Sequence, residues 1–225
     1  MTQTVRTLQV KFPNMPLRNG EIRYLRSILN DIIGWQDPLL HNHTPDGGDI
    51  YRYPLVHYRT YKGHAMLFGL EQGCEAIGKL VSTYMTELPP EMATMQMESQ
   101  QTAIEMTTQR KLYYVHHFLP FNTENFEEWI NTKGLIHRIR RLEQIIEGNI
   151  LDVCKTVGFR IPDKSLKVEI EILEDIGFIP FPAKTGEIKM KAFNISYYAN
   201  ILLPNQIAIG KGKSKGYGVQ REIMK

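Results

Sequence analysis

At 225 residues the chain can build one large domain or two small ones, and its 42% hydrophobic and 23% charged residues exclude wholesale disorder. Cys74 and Cys154 are too far apart for a disulfide framework or a zinc site, no apolar run approaches a membrane span, and the opening MTQTVRTLQVKF lacks the apolar stretch of a secretory signal; a cytoplasmic location is expected. The net charge of +3 is unevenly placed: residues 184–225 carry +6 and the preceding 183 carry −3, which suggests a localised anion-binding surface.

Residues 4–13, TVRTLQVKFP, read as a strand that Pro13 and Pro16 end. A helix is expected over 18–33, where Ile22, Leu25, Ile28, Leu29, Ile32 and Ile33 recur at helical spacing, and Gly34 stops it. The polar loop HNHTPDGGD precedes two strand-like runs, 51–61 and 64–71, joined by Lys62–Gly63 as in a hairpin. A second helix follows over 73–85, closed by Pro89–Pro90, and then 91–121 reads as a long hairpin. Strand, helix, strand, strand, helix, strand is the order of a ferredoxin-like unit.

The second half opens on a long helical stretch, 123–159, which Thr123 could cap and which Gly134 and Gly148 could break. Alternation makes LKVEIEILED (166–175) a strand, 186–202 supplies another strand or two, and YGVQREI a last short one. The fold class expected is α+β, with tandem ferredoxin-like (RRM-like) units, the second degenerate and strand-rich. The domains would be 1–121 and 122–225, the latter bearing a glycine-rich loop.

That loop, IAIGKGKSKGYGVQ, packs four glycines and three lysines into Gly210–Gly218. A phosphate-binding P-loop is excluded: Gly212-Lys213-Ser214 is present, but the earlier glycine position holds Ile207, and strand rather than helix follows. The dinucleotide fingerprint fails likewise. What remains joins two strands; glycines expose amide groups to an anion and the lysines add point charges suited to successive phosphates. Tyr217 could offer a face to a base. A lysine-rich turn with no partner is the competing account. A second basic element tips the balance: the helical run KGLIHRIRRLEQII sets Lys133, His137, Arg140 and Arg141 opposite an apolar face of Leu135, Ile136, Ile139, Leu142, Ile145 and Ile146. Arginine's planar fork suits phosphates and splayed bases, so RNA is the expected ligand.

In LLHNHTPDGGDIYRYP, His41 and His43 flank Asn42, with Asp46, Asp49 and Tyr51 close behind. Three accounts remain open: loop residues without a role, two histidines and an aspartate holding a metal, or a histidine pair doing acid–base work on RNA. The last needs no metal, because RNA carries its own nucleophile, the 2′-OH; one histidine can take its proton and another protonate the leaving oxygen. Tyr51 could position a reactant, and a lysine supply charge. The remaining histidines, His57, His64, His116 and His117, read as structural, the last two on opposite faces of one strand.

A ferredoxin-like first half, a strand-rich second half and a near-terminal glycine loop with lysines together resemble the RAMP superfamily of CRISPR-associated RNA-binding proteins. The HNH loop followed by YRYPLVHYR is most similar to the repeat-processing endoribonucleases of that group. The resemblance implies a metal-independent cut within each repeat of precursor CRISPR RNA, leaving a 2′,3′-cyclic phosphate, with no cofactor. Its paired histidines would fall on His41 and His43, and its tyrosine on Tyr51, with Tyr53 as the other position. Gly210, Gly212, Gly216 and Gly218, with Lys211, Lys213, Lys215 and Tyr217, would shape the RNA surface. Repeat RNA is the expected partner; a homodimer and other CRISPR-associated proteins are open as further ones, and no membrane is. The competing function is a non-catalytic RNA-binding subunit of a CRISPR effector complex, which would need no histidine pair.

Overall fold

A computed structural model describes residues 2–34, 37–41, 52–183 and 186–224. The chain divides into two compact units, Thr4–Thr102 with Ser214–Gly216, and Met1–Gln3 with Ala103–Lys213 and Tyr217–Lys225.

In the N-terminal unit, β1 (Thr2–Pro16) leads through a 3-10 turn into α1 (Ile22–Ile32) and a four-residue helix, α2 (Pro38–His41). Strands β2 (Val56–Tyr61) and β3 (His64–Leu70), helix α3 (Gln72–Tyr84) and β4 (Gln96–Phe118) follow. The strands neighbour one another in the order β2-β3-β1-β4, with β3 antiparallel to both β2 and β1. Strand β1 runs through Pro13 to Pro16 rather than ending at Pro13. The ladder with β3 shifts register between Phe12 and Pro16, so Pro13 lies where the pairing is interrupted and Pro16 sits opposite His64 at the ladder's end. Lys62 and Gly63 both have positive φ, as a two-residue turn matched to strand twist requires. Leu8, Val10 and Phe12 of β1 join Leu25 and Leu29 of α1 and Ile77 and Leu80 of α3 in one core.

In the C-terminal unit, α4 (Thr123–Asn131) and α5 (Leu135–Thr156) precede β5 (Val168–Ala183), β6 (Gly186–Leu202) and β7 (Val219–Glu222). Residues 113–116 of β4 pair with β7 and residues 105–118 with β6, so the order is β5-β6-β4-β7, antiparallel throughout. Helix α5 packs on β5, burying Leu142, Ile146, Ile150 and Val153 at intervals of four, four and three.

Several expectations change. Residues 91–121 form no hairpin: β4 is one strand of 23 residues, with no glycine, asparagine or aspartate in it to favour a tight turn. Its length is divided among several partners instead. Asn122, not Thr123, caps α4, its side chain accepting from the Asn125 amide at 2.7 Å. Gly134, at φ +85°, separates α4 from α5, whereas Gly148 lies within α5 unbroken. Leu135 and Ile136, counted in the apolar face, are 69% and 76% exposed, because periodicity does not say where the surface beneath a helix begins. His116 and His117 do not point apart: their ring centroids lie 3.7 Å from each other.

Candidate functional site

The site is built on the short helix that ends at His41. Asp37 opens α2, its carboxylate accepting from the Leu39 amide at 2.9 Å. A four-residue helix leaves its terminal carbonyls without partners of its own, and side chains from α1 and β2 supply them. The Tyr58 hydroxyl donates to the Leu40 carbonyl at 2.8 Å, and the Arg26 guanidinium donates to the His41 carbonyl. The last turn of α2 is therefore held at two successive carbonyls, and His41 is only 4% exposed. Burial keeps the Tyr58 phenol protonated well above neutrality, against the opposing pull of Arg26.

Arg26 is also one member of a cation cluster. Arg23, one helical turn before it, and Lys215, at the tip of the glycine loop, are the others. Partial burial, then the charges of Arg26 and Arg23, lower the affinity of the Lys215 amine for its proton. The loop tip is seated closely: a Cβ on Gly216 would come within 2.7 Å of Ile22 on α1, and its φ of +84° is one that glycine adopts readily. Three cations gathered beside the backbone of a histidine make a place where the phosphate of a polyanion gains most.

Beneath β2, His57 and Arg59 are buried together. The Pro54 carbonyl can only accept, so His57 Nε2 carries the proton at 2.8 Å from it, leaving Nδ1 to accept from Arg59 at 2.8 Å. The Arg59 guanidinium also lies 4.6 Å from the Phe68 ring, and burial brings its pKa down to about 10, so it stays charged at neutral pH. His57 is structural, as the sequence suggests.

The rest of the glycine loop belongs to the C-terminal unit. Gly210, Gly212, Gly216 and Gly218 all have positive φ. The Gly210 amide donates to the Asn149 side chain at 2.9 Å and the Lys211 amide to the Leu119 carbonyl at 2.7 Å, so these two amides are committed to the protein. Lys211 is exposed, and Lys213 is paired with Asp152 at 2.9 Å. Tyr217 does not offer a free face: it is 8% exposed, donates to the Pro180 carbonyl at 3.2 Å and packs against the Phe181 ring. Its aromaticity serves the packing of the loop, which the sequence pattern cannot distinguish from stacking on a base.

Lys133 is exposed but lies in the link between α4 and α5, because Gly134 starts the helix only at Leu135; on α5 itself His137 is exposed, Arg140 pairs with Glu143 at 3.1 Å and Arg141 with Glu128. His43 and Tyr51 lie outside the described residues, as do Asp46 and Asp49; Tyr53 is fully buried, 5.4 Å from the His57 ring. Arg23 and Arg26 were not singled out from the sequence. The signal for them was the i, i+3 pair in RYLR on the polar side of a helix read for its apolar side alone.

This arrangement can be set beside known proteins. Three solved structures share the fold over nearly the whole chain. One is of Cas6b, with a TM-score of 0.78, 20% identity, and 98% of this chain and all of that one covered. A second, of the CRISPR RNA processing endoribonuclease Cas6b, gives 0.73 and 20% with the same coverage. The third is Csf5, a type IV CRISPR-Cas Cas6 crRNA endonuclease, at 0.68 and 12%, with 99% of this chain and all of that one covered. No curated protein matches the sequence. The fold is thus that of the CRISPR-associated Cas6 proteins, as the RAMP resemblance implied. The Cas6b N-terminal domain matches residues 3–110 and the Cas6b C-terminal domain residues 105–223, and the chain belongs to the Cas6b family.

Proposed function

We propose that the protein is a CRISPR RNA processing endoribonuclease that cuts within repeats without a metal ion. Family membership and the solved Cas6b and Cas6 endonucleases support the activity. The observation that carries the site is the Arg26 hydrogen bond to the His41 carbonyl, which ties this histidine to Arg23 and Lys215. The cation cluster holds the scissile phosphate. One of His41 and His43 takes the proton of the 2′-OH, whose oxygen attacks phosphorus, and the other protonates the departing 5′-oxygen. The products are a 2′,3′-cyclic phosphate and a 5′-hydroxyl. Tyr51 positions a reactant, while Lys133, His137, Arg140, Arg141, Lys211 and Lys213 hold other parts of the RNA.

The strand orders support two ferredoxin-like units in tandem. In the C-terminal unit β5-β6-β4-β7 repeats the arrangement β2-β3-β1-β4, with the glycine loop standing between β6 and β7 where α3 stands between β3 and β4. The N-terminal unit would then carry the histidines and the C-terminal unit most of the RNA surface.

The test is cleavage of end-labelled repeat RNA in excess EDTA, beside the same RNA lacking the 2′-OH at the cut. The enzyme cuts only the natural RNA, and His41→Ala and His43→Ala each slow it by at least about 100-fold with binding retained. Binding by the natural protein without cleavage would instead establish the subunit reading.

A further inference from the structure

The tandem histidines His116 and His117 lie on β4 in the C-terminal unit and have no part in the chemistry assigned above. Consecutive residues of a regular strand point to opposite faces. Here they do not, because His117 has φ +51°, a left-handed conformation costly for any residue with a Cβ. The irregularity falls where the ladder with β6 shifts register between Val115 and Phe118. Its effect is to bring the two imidazoles together, with centroids 3.7 Å apart and planes 36° from parallel. The bulge is held in place from two directions. The His117 amide donates to the Asn194 side chain at 3.1 Å, and its carbonyl accepts from the Gly218 amide at 3.1 Å, the last glycine of the loop.

Burial comes first in lowering both pKa values; the Arg221 charge adds to it for His116, and the His116 charge for His117. Glu174 pulls His116 the other way, and the net shift remains downward. Both rings are therefore neutral near pH 7. Rings that face each other do not aim their nitrogens at one point, which argues against a metal site. A neutral π face on an exposed residue, with a guanidinium nearby, is instead what an unpaired nucleotide needs: the ring takes the base and the cation its phosphate.

We propose that His116, backed by His117 and flanked by Arg221, is a stacking subsite for one unpaired base of the RNA. It rests on the functional reading above only in taking repeat RNA as the ligand. The strained His117 backbone is the device that doubles the ring, and the Gly218 hydrogen bond couples it to the glycine loop.

The test uses repeat RNA made uncleavable by removal of the 2′-OH at the cut, with 2-aminopurine placed in turn at each unpaired position. The natural protein should quench one position. In His116→Ala that quenching is lost and Kd rises roughly tenfold, whereas His116→Phe, which keeps a π face but no titratable nitrogen, restores both. His117→Gly, which accepts the left-handed backbone, should fold normally and bind with intermediate affinity. Quenching nowhere in the natural complex, or quenching and affinity unchanged in His116→Ala, overturns the subsite even if repeat RNA is cut normally. Failure of the natural protein to bind or cut repeat RNA would overturn the functional reading and the subsite with it.

Discussion

At the proposed site, Lys215 sets stability against binding. Its amine is partly buried beside two guanidinium groups, and its folded pKa is lowered below the ordinary lysine value of 10.5. The folded protein thus holds this proton less firmly than the unfolded chain does. The charged amine destabilises the free protein at neutral pH, and that penalty is relieved as pH rises from the depressed pKa towards 10.5. Lys215→Gln should accordingly raise the melting temperature at pH 7 by about 2 °C. The same change should weaken repeat RNA binding roughly tenfold and lower the slope of log K against log salt by about one. A variant both less stable and unchanged in binding would mean that the amine is anchoring the loop tip rather than awaiting a phosphate. The histidine pattern and the glycine–lysine run mark the region in the sequence. The cluster itself does not show there, because Arg23 and Arg26 are separated from Lys215 by nearly the whole chain, and only the close seating of Gly216 on Ile22 brings them together.

At the scale of elements, the glycines divide into those that the turn requires and those that it does not. A Cβ on Gly218 would stand 1.8 Å from the Ile209 carbonyl oxygen, at a φ of +65°. Gly218→Ala should cost about 3 kcal/mol, read as a fall in melting temperature, and should disturb the loop and the bulge at His117 together. Gly148 lies in the middle of α5 with open space around it, so Gly148→Ala should stabilise by about 0.5–1 kcal/mol and leave cleavage unchanged. Equal effects at the two positions would refute the distinction. Elements governed by local chemistry were legible in the sequence: α1, the Lys62–Gly63 turn, α3 and, apart from the short α2, the order of strands and helices from β1 to α3. Those governed by tertiary partners were not. The length of β4 depends on several strands sharing it, the exposure of Leu135 and Ile136 on where the sheet beneath α5 ends, and the stacked histidines on a backbone angle that side-chain alternation cannot reveal.

At the scale of the whole molecule, the +6 of the last 42 residues and the basic run of α5 both overstate the charge offered to RNA, because acidic side chains answer cations in each. Asp152 holds Lys213, and Glu128 holds Arg141. The two carboxylates are 41% and 54% exposed, so each pair contributes only about 0–1 kcal/mol to stability. Their larger effect is on the field: each cancels a positive charge on a unit proposed to draw in the RNA. The double variant Asp152→Asn, Glu128→Gln takes the formal net charge from +3 to +5 without touching the histidines. Association with repeat RNA, followed by stopped flow, should then quicken several-fold at low salt. The gain should fade as salt rises, since the screening length falls from about 10 Å at 0.1 M to about 3 Å at 1 M. Single-turnover cleavage at saturating RNA should not change, because Arg23, Arg26 and Lys215, proposed to hold the scissile phosphate, are untouched. A gain that survives high salt would point to new direct contacts instead of steering. No gain at any salt would place the RNA path away from Lys213 and Arg141, and the C-terminal basic residues would then be a solvated surface.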